Sequence, residues 1–266
     1  SLLRDSSDYL GIKALSIGPT IMSGRVVDMA IDPLDTKHFF VAYATGGVWE
    51  TTNNGQSFHP IFDENGFTLN CGALAVDWVQ NIIYVGTGEA NSSRSSYAGY
   101  GIFKCDFSIR NPEMWTQWEH LGLAATQHIS RILLHPTDHR ILYVAAMGNL
   151  FSPNIERGIF KSEDAGKTWE KVLYVDENTS AVDIEFHPKN SNKLMAAMWE
   201  KTRRGWNFWE GGEQSGIYTT EDGGDHWKRC TDFPSGDHVG RIGLSISDSV
   251  VYALMDSQLR TPKEAK

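Results

Sequence analysis

One short phrase occurs three times in this chain, and it constrains the fold more than any other feature of the sequence. The copies read WETTNNGQSFHPI (residues 49–61), FKSEDAGKTWEKV (160–172) and YTTEDGGDHWKRC (218–230). Their common pattern is Ser or Thr, any residue, Asp or Asn, any residue, Gly, any residue, a polar residue and an aromatic one. A phrase repeated at a fixed place in a longer unit indicates a repeat architecture.

The units around the phrase predict four short strands each. In every unit an alternating, β-branched strand and a second strand precede a triplet of Gly, an aliphatic residue and an aromatic residue. The triplets begin at Gly47, Gly101, Gly158 and Gly216, which are 54, 57 and 58 residues apart. Four strands at this period are typical of propeller blades, and no long stretch of helical periodicity competes with them.

The predicted fold class is therefore an all-β propeller whose blades have four strands. We expect one propeller segment over residues 1–266, with blades at 21–63, 68–123, 126–176 and 179–234 and an incomplete fifth blade at 238–266. The stretch IKALSIGP near the start of the sequence is a candidate outer strand for the last blade. Two strands in the fifth unit leave its sheet open, so we expect a larger propeller that a further chain segment or a subunit completes. The alternative is a five-blade ring that closes with an incomplete last blade.

The repeated phrase fits the hairpin between the third and fourth strands. An Asp or Asn side chain accepts hydrogen bonds from backbone N–H groups further round a turn, and Gly tolerates the positive φ that such a turn requires. The aromatic residue then begins the next strand. This structural role is predicted for Asn53, Gly55, Phe58, Ser162, Asp164, Gly166, Thr168, Trp169, Thr220, Asp222, Gly224 and Trp227. The second unit departs from the pattern between Phe103 and Trp118, where the Gly is missing.

The phrase resembles the Asp-box, or BNR repeat, of sialidases, sortilin-type receptors and photosystem assembly propellers. Longer stretches such as IIYVGTGEA and ERGIFKSEDAGKTWEKVLYVDENT are similar to sortilin-N-terminal-like BNR proteins of bacteria, which are often labelled glycosyl hydrolases. This resemblance covers nearly the entire chain. It implies a secreted or cell-surface propeller, often with more blades, whose boxes lie on the face opposite the ligand site. It does not imply a particular reaction.

Polar residues collect at the predicted ligand-binding face, where the first strands begin and the second strands end. The carboxylates are catalytic candidates because glycoside hydrolysis needs two carboxyl groups at a defined separation. A sialidase channel, which these residues resemble in part, grips a carboxylate with three arginines. Structural ion pairing is the alternative role. The candidate acids are Glu89, Glu200, Asp183 and Asp256, and the candidate ligand-binding residues are Arg25, Arg131, Arg241 and His128, with His238 near the same rim.

Long loops between the second and third strands provide a second group of candidates. The loop KTRRGWNFWEGGEQS (201–215) carries Trp206, Phe208 and Trp209 beside two arginines. Exposed aromatic residues next to arginine are suited to stacking on a sugar or to a protein contact. The alternative is that this loop folds over the channel mouth or a neighbouring blade, and both roles stay open.

Composition excludes some partners. The net charge is −9, without a run of basic residues, which argues against nucleic acid and anionic membranes. No apolar run is long enough to span a bilayer. The three cysteines suggest no disulfide framework, and we expect neither a metal site nor a cofactor. The chain begins at Ser1, so we expect a mature protein without its signal peptide, secreted or at the cell surface.

Two functions remain. The favoured one is a non-catalytic binding or scaffold propeller that recognises a protein, a peptide or a glycan through its loop face. The alternative is a glycoside hydrolase, sialidase-like or polysaccharide-degrading, that uses the rim carboxylates. The favoured function follows because the arginines and acids do not assemble a full sialidase pattern.

Overall fold

Short antiparallel strands make up the fold, in a computed structural model that describes residues 24–109, 114–247 and 250–259. The first two sheets have four strands each, joined in chain order so that each strand pairs with the next. Their middle strands are buried at successive positions, so both faces of these strands are covered. The strands are β1 (Val26–Ile31), β2 (Phe39–Tyr43), β3 (Gly47–Thr51) and β4 (His59–Pro60), then β5 (Cys71–Asp77), β6 (Ile82–Thr87), β7 (Ile102–Asp106) and β8 (Glu119–His120).

Two more four-stranded sheets and two two-stranded sheets follow in the described residues. The fourth sheet differs because an additional hairpin, β15–β16, lies within the long loop after its second strand. The strands are β9 (Ile129–Leu134), β10 (Leu142–Ala146), β11 (Gly158–Ser162) and β12 (Glu170–Leu173), then β13 (Thr179–His187), β14 (Asn190–Glu200), β15 (Thr202–Arg203), β16 (Phe208–Trp209), β17 (Gly216–Thr220) and β18 (Lys228–Arg229), and finally β19 (Val239–Ile246) and β20 (Val251–Ser257). The fold class predicted from the repeat is confirmed: the chain is an all-β propeller segment with four-stranded blades.

The first strand of each blade lies innermost, and the first strands of successive blades contact one another. Each of these strands contains a register shift near its start, for example between Val26 and Asp28 in β1 and between Ala181 and Asp183 in β13. The same irregularity occurs in β5, β9 and β19. A bulge of this kind adds one residue and increases local twist, so it changes which side chain faces the neighbouring blade.

The core consists of apolar clusters that lie between successive blades rather than in one central body. One cluster joins the first two blades through Phe40, Phe62 and Phe103, all fully buried. Further clusters lie between the second and third, third and fourth, and fourth and fifth blades. In the described residues the three middle blades therefore each contribute to two cores and the first and fifth blades to one. The hydrophobic stabilisation of the fold thus depends on adjacent blades staying together.

The three turns that carry the repeated phrase share one hydrogen-bond pattern. In the third blade the Ser162 hydroxyl donates to Asp164 Oδ1 (2.8 Å), while its oxygen accepts from the Gly166 N–H (2.8 Å). Asp164 then accepts from the backbone N–H of Thr168 (2.9 Å) and from its hydroxyl (2.6 Å). Equivalent bonds involve Thr220, Asp222, Gly224 and His226 in the fourth blade. The first blade repeats them with Thr51, Asn53, Gly55 and Ser57, except that the Asn53 amide group donates to the Ser57 hydroxyl.

Aromatic residues of the outer strands join one blade to the previous one. Trp169 donates its indole N–H to the carbonyl of Leu121 (2.8 Å), and Trp118 donates to the carbonyl of Ile61 (2.8 Å). Trp227 occupies the corresponding place in the fourth blade, but its indole nitrogen is buried without a hydrogen-bond partner in the described residues. Packing therefore holds all three tryptophans in place, and the indole hydrogen bond to the previous blade is present for Trp118 and Trp169.

Three predictions concern residues outside the described ranges. The candidate outer strand IKALSIGP precedes residue 24, and the end of the predicted fifth blade follows residue 259. Residues 110–113 belong to the divergent turn of the second blade. The described ends of that connection are held by a hydrogen bond from the Cys105 thiol to the Met114 carbonyl (3.2 Å).

Candidate ligand-binding face

Glu89 is the most completely bonded residue at the predicted ligand-binding face. It follows β6 and has no exposed surface. Oε1 accepts from Arg25 Nε (2.7 Å) and Asn91 Nδ2 (2.9 Å), and Oε2 accepts from Ser96 Oγ (2.9 Å) and from Arg25 Nη2. The two-pronged contact with Arg25 joins the first blade to the second.

The pKa of Glu89 follows from these contacts. Burial favours the neutral acid, but hydrogen bonds from Arg25, Ser96 and Asn91 stabilise the carboxylate and lower the pKa below its ordinary value. A general acid needs the opposite shift, because it must hold its proton near neutral pH. Glu89 therefore has the environment of a permanently ionised structural carboxylate.

The three candidate arginines do not occupy one repeat position. The backbone carbonyls of Arg25 and His128 accept equivalent bonds at the ends of the second strands, from Ala44 and Met147. Arg131 lies three residues later, beyond the bulge, and Arg241 occupies its counterpart in the fifth blade. The offset is already present in the sequence: Pro33 and Pro136 follow the first strands of their blades at the same place, and Arg25 lies eight residues before Pro33 whereas Arg131 lies five before Pro136. The arginines consequently do not form the symmetrical grip that a shared position would give.

Arg131 lies among carboxylates of the inner strands. Its Nη2 donates to Glu185 Oε1 (2.6 Å), and its Nε is 3.8 Å from Asp183 Oδ1. Burial raises the pKa of Glu185, and Asp183 adds to this increase, although Arg131 opposes it. Burial likewise raises the pKa of Asp28, against hydrogen bonds from the Leu74 and Met29 amides. Neither Glu185 nor Asp28 was selected from the sequence.

Asp183, one of the four candidate acids, connects two blades. Its Oδ1 accepts from the Ile184 N–H (3.0 Å) and its Oδ2 from the Leu244 N–H of the fifth blade (2.8 Å). Asp28 holds the Leu74 N–H of the second blade in the same manner (2.9 Å). Both carboxylates are thus bonded to backbone groups of the next inner strand.

His128 and Arg241 lie close to Glu89 and to Trp199. The Nδ1 of His128 donates to the Glu89 carbonyl (2.9 Å), and burial lowers the pKa of the ring to about 4, so the ring is neutral at physiological pH. Arg241 donates to the Ala90 carbonyl (3.2 Å) and to Asn91 Oδ1 (3.3 Å). Its guanidinium carbon is 5.8 Å from the centroid of the Trp199 ring.

The loop of residues 201–215, called the aromatic loop below, exposes two tryptophans to solvent. Trp206 is 81% exposed and Trp209 is 65% exposed, whereas Phe208 is half-buried against Trp199, with ring centroids 5.9 Å apart. The guanidinium of Arg203 lies over the Phe208 ring, 4.4 Å from its centroid. Arg203 pairs with Phe208 in the hairpin β15–β16, so this part of the loop is a short two-stranded antiparallel ribbon. The loop thus combines a packed base with an exposed aromatic edge.

The remaining candidates have local roles. Glu200 accepts from the Gln214 N–H (2.8 Å) within the aromatic loop, and Asp256 is exposed and accepts from the Gln258 amide (2.7 Å). His238 lies 3.8 Å from Asp237. None of these contacts brings two candidate acids together around an open space.

Lys201 and Arg157 were also missed in the sequence, although both are almost completely buried on this face, with 3% and 2% exposure. Lys201 stands before a loop rich in aromatic residues, and nothing in that pattern predicts that its side chain is buried. Within the described ranges, no group of three His, Cys, Asp or Glu residues could hold a metal ion. The same residues contain no helix that is long and apolar enough to span a membrane.

Comparisons with known proteins agree with the propeller fold and its Asp-box turns. Residues 114–240, slightly less than half of the chain, match the family model described as sortilin, neurotensin receptor 3. This stretch includes the third and fourth blades with both Asp-box turns that contain a true Asp. The chain is an Asp-box β-propeller. No curated protein matches significantly.

Solved structures with a similar fold include members of glycoside hydrolase family GH74. An ancestral GH74 enzyme shares 20% identity and a TM-score of 0.61, over 87% of this chain and 27% of that one. The GH74 xyloglucanase of Xanthomonas campestris shares 16% identity and a TM-score of 0.62, over 88% and 34%. YCF48 from Cyanidioschyzon merolae shares 13% and 0.54, over 92% and 67%. The likeness shows the fold alone, and this Asp-box propeller spans about a third or less of the two GH74 chains.

Proposed function

We propose that this Asp-box propeller is a non-catalytic binding module that recognises a glycan through its loop face, outside the cell or at its surface. The observation that carries the proposal is the exposure of Trp206 and Trp209 on one ordered hairpin. Exposed indole rings held on a rigid base stack on sugar rings at low entropic cost. The buried neighbours Trp199 and Phe208 supply that base.

The bonding of the rim acids favours binding over hydrolysis. Glu89 uses both carboxylate oxygens in hydrogen bonds, and its lowered pKa keeps it ionised. Glu200 accepts a hydrogen bond from the Gln214 N–H, and Asp256 accepts one from the Gln258 side chain, so the two acids have different partners. Hydrolysis of a glycosidic bond requires one carboxyl group that retains its proton and a second that acts as base or nucleophile.

A second candidate function is glycoside hydrolysis, and one observation favours it. Asp28 and Glu185 both have raised pKa values near Arg131, and a raised pKa is the property of a general acid. One chain of similar fold is titled a xyloglucanase. The hydrolase candidate therefore depends on inner-strand acids, rather than on Glu89 or Glu200.

The two functions separate in one experiment on the purified chain. Affinity electrophoresis in gels that contain neutral or acidic polysaccharides measures retention, and a reducing-sugar assay on the same polysaccharides measures turnover. We expect retention without turnover, weakened roughly tenfold or more in Trp206→Ala and Trp209→Ala. Leu34→Ala is the matched control, since Leu34 is 95% exposed in the turn between β1 and β2.

The opposite results would have a clear meaning. Turnover that disappears in Glu185→Gln but persists in Trp206→Ala would replace the binding proposal with hydrolysis. Absence of both retention and turnover, with a folded chain, would contradict the glycan ligand and leave a protein or peptide ligand as the remaining alternative.

A further inference from the structure

A cationic cavity lies beside the aromatic loop. Its volume is about 220 Å³, and it is enclosed by the loop after β10, the connection between the third and fourth blades, and the residues that begin the aromatic loop. The side chains that argue for a ligand are Arg157, Asn178, Lys201, Arg203 and Arg204. Among the described residues, no Asp or Glu lines this cavity.

The buried ammonium group of Lys201 is the main evidence that this cavity binds an anion. It is 3% exposed, and its ammonium nitrogen has no hydrogen-bond partner in the part of the chain that the structure describes. Its contact is with the Trp199 ring, whose centroid is 5.7 Å from Nζ. A buried ammonium group normally has a carboxylate or several acceptors around it, because removing a charge from water without compensation costs several kcal/mol.

The neighbouring arginines increase the need for an anion. Arg157 is held rigidly, with its two terminal nitrogens donating to Asn149 O (2.7 Å), Ser152 O (2.9 Å), Asn178 O (3.1 Å) and Ser180 Oγ (3.0 Å). The Nε atoms of Arg157 and Arg203 are buried and have no partner in the described residues. Donors fixed in this manner around an open cavity form a preorganised site for an oxyanion.

The protonation of Lys201 depends on the charges around it. Burial, together with the positive charges of Arg157, Arg203 and Arg241, lowers its pKa to about 7. His128 interacts with Lys201 and Arg157, and Arg157 also interacts with the carboxylates of Asp176 and Glu177. An entering anion would supply the missing charge and hydrogen-bond acceptors, and would thereby favour the protonated amine.

We infer that this cavity binds the sulfate or carboxylate group of an acidic glycan, with Lys201 and Arg203 as its ligands and Arg157 as their rigid support. The inference rests on the proposed function, because the glycan chain would continue from the cavity across Trp206 and Trp209. A general charge attraction does not explain such binding, since the whole chain carries a net charge of −9.

The test uses inorganic sulfate, glucuronate and heparin as probes, with thermal unfolding and affinity electrophoresis as readouts. Sulfate should raise the unfolding temperature of the wild-type chain more than chloride at equal ionic strength, and heparin should be retained. Lys201→Met should weaken both effects at least tenfold. Without ligand, this variant should unfold at a higher temperature than wild type, because it removes an unpaired buried charge.

Lys193→Met is the matched control. Lys193 is half-exposed and pairs with Glu221 near the Asp-box turns, so this variant should bind both probes as wild type does. The pH provides a readout that loss of structure would not imitate. Wild-type affinity for sulfate should fall between pH 6 and 9 as Lys201 loses its proton, and that decline should be absent in Lys201→Met. His128, with a pKa of about 4, keeps the same charge throughout this range.

Each contrary result has one meaning. Equal stabilisation by sulfate and chloride, or unchanged sulfate affinity in Lys201→Met, overturns the anion site. Sulfate binding without retention of heparin or any uronate polysaccharide overturns the assignment to a glycan. Retention of a neutral polysaccharide that depends on Trp206, with no anion effect, overturns this inference while the proposed function stands.

Discussion

At the scale of single residues, the Asp-box turns place two successive residues in the left-handed region of φ. In the third blade these are Ala165 (φ 61°) and Gly166 (φ 87°), and in the fourth they are Gly223 (φ 72°) and Gly224 (φ 98°). The N–H of Ala165 donates to the Arg140 carbonyl, in the turn before β10, and the N–H of Gly223 donates to the Asn192 carbonyl, near the start of β14. The backbone bond therefore fixes a conformation that costs Ala about 1 kcal/mol more than Gly.

Ala165→Gly should raise the free energy of unfolding by about 0.5–1 kcal/mol, because it removes this strain. The reciprocal change, Gly223→Ala, should lower it by a similar amount, since an added Cβ finds its nearest neighbour at 3.6 Å and meets no clash. Urea unfolding of both variants measures the two differences. Effects of the same sign in both variants would contradict the strain explanation.

At the scale of elements, the inner strands of the second and third blades approach unusually closely. Gly72 occupies the bulge of β5, and a Cβ at this position would lie 2.1 Å from the Ile129 carbonyl oxygen and 2.2 Å from the Gly88 carbonyl oxygen. Both obstacles are backbone atoms of neighbouring strands, so no rotamer change relieves them. The close approach of these two blades requires a residue without a side chain here.

Gly72→Ala should destabilise the propeller by about 3 kcal/mol or more, because the second and third blades must separate to admit the methyl group. Gly243→Ala, in the inner strand of the fifth blade, is the control, since no atom lies within 4 Å of its added Cβ. We expect the control to change stability by less than about 0.5 kcal/mol. Similar losses in the two variants, measured by urea unfolding, would refute the role of the close approach.

At the scale of the whole molecule, carboxylates of inner strands couple one blade to the next. Asp183 holds the Leu244 N–H, and Asp28 holds the Leu74 N–H. Arg25 and Glu89 provide a further connection between the first and second blades. Because each apolar cluster lies between blades, these polar bonds determine the register in which the blades pack.

Asp183→Ala should loosen the fifth blade specifically. The Leu244 N–H loses its acceptor in a buried setting, at a cost of about 1–3 kcal/mol. Hydrogen exchange should accelerate in β19 and β20 while β1 and β2 keep their protection. Asp183→Asn retains an acceptor oxygen and serves as the control. Uniform acceleration over all five blades would show that the carboxylate stabilises the chain globally, contrary to this expectation.

The amino-acid sequence by itself determined the repeat, the all-β fold and the place of the Asp-box turns. These depend on local patterns: the Ser162–Asp164–Thr168 bonds, for instance, join residues at most four positions apart. Short β-branched and apolar stretches likewise indicated strands, and the Gly triplets marked where third strands begin.

Only the tertiary structure decided which polar residues meet. Arg25 and Glu89 are in contact although 64 positions separate them in the sequence, and Asp183 and Leu244 are in contact although 61 positions separate them. Arg25, Arg131 and Arg241 all begin inner strands in the sequence, but their side chains bond to different partners in neighbouring blades. The cationic cavity around Lys201 depends on how the loops of two blades close over one another. Sequence reports the bonds that a chain makes with its near neighbours, whereas contacts between blades depend on register and curvature, which are set when the sheets pack.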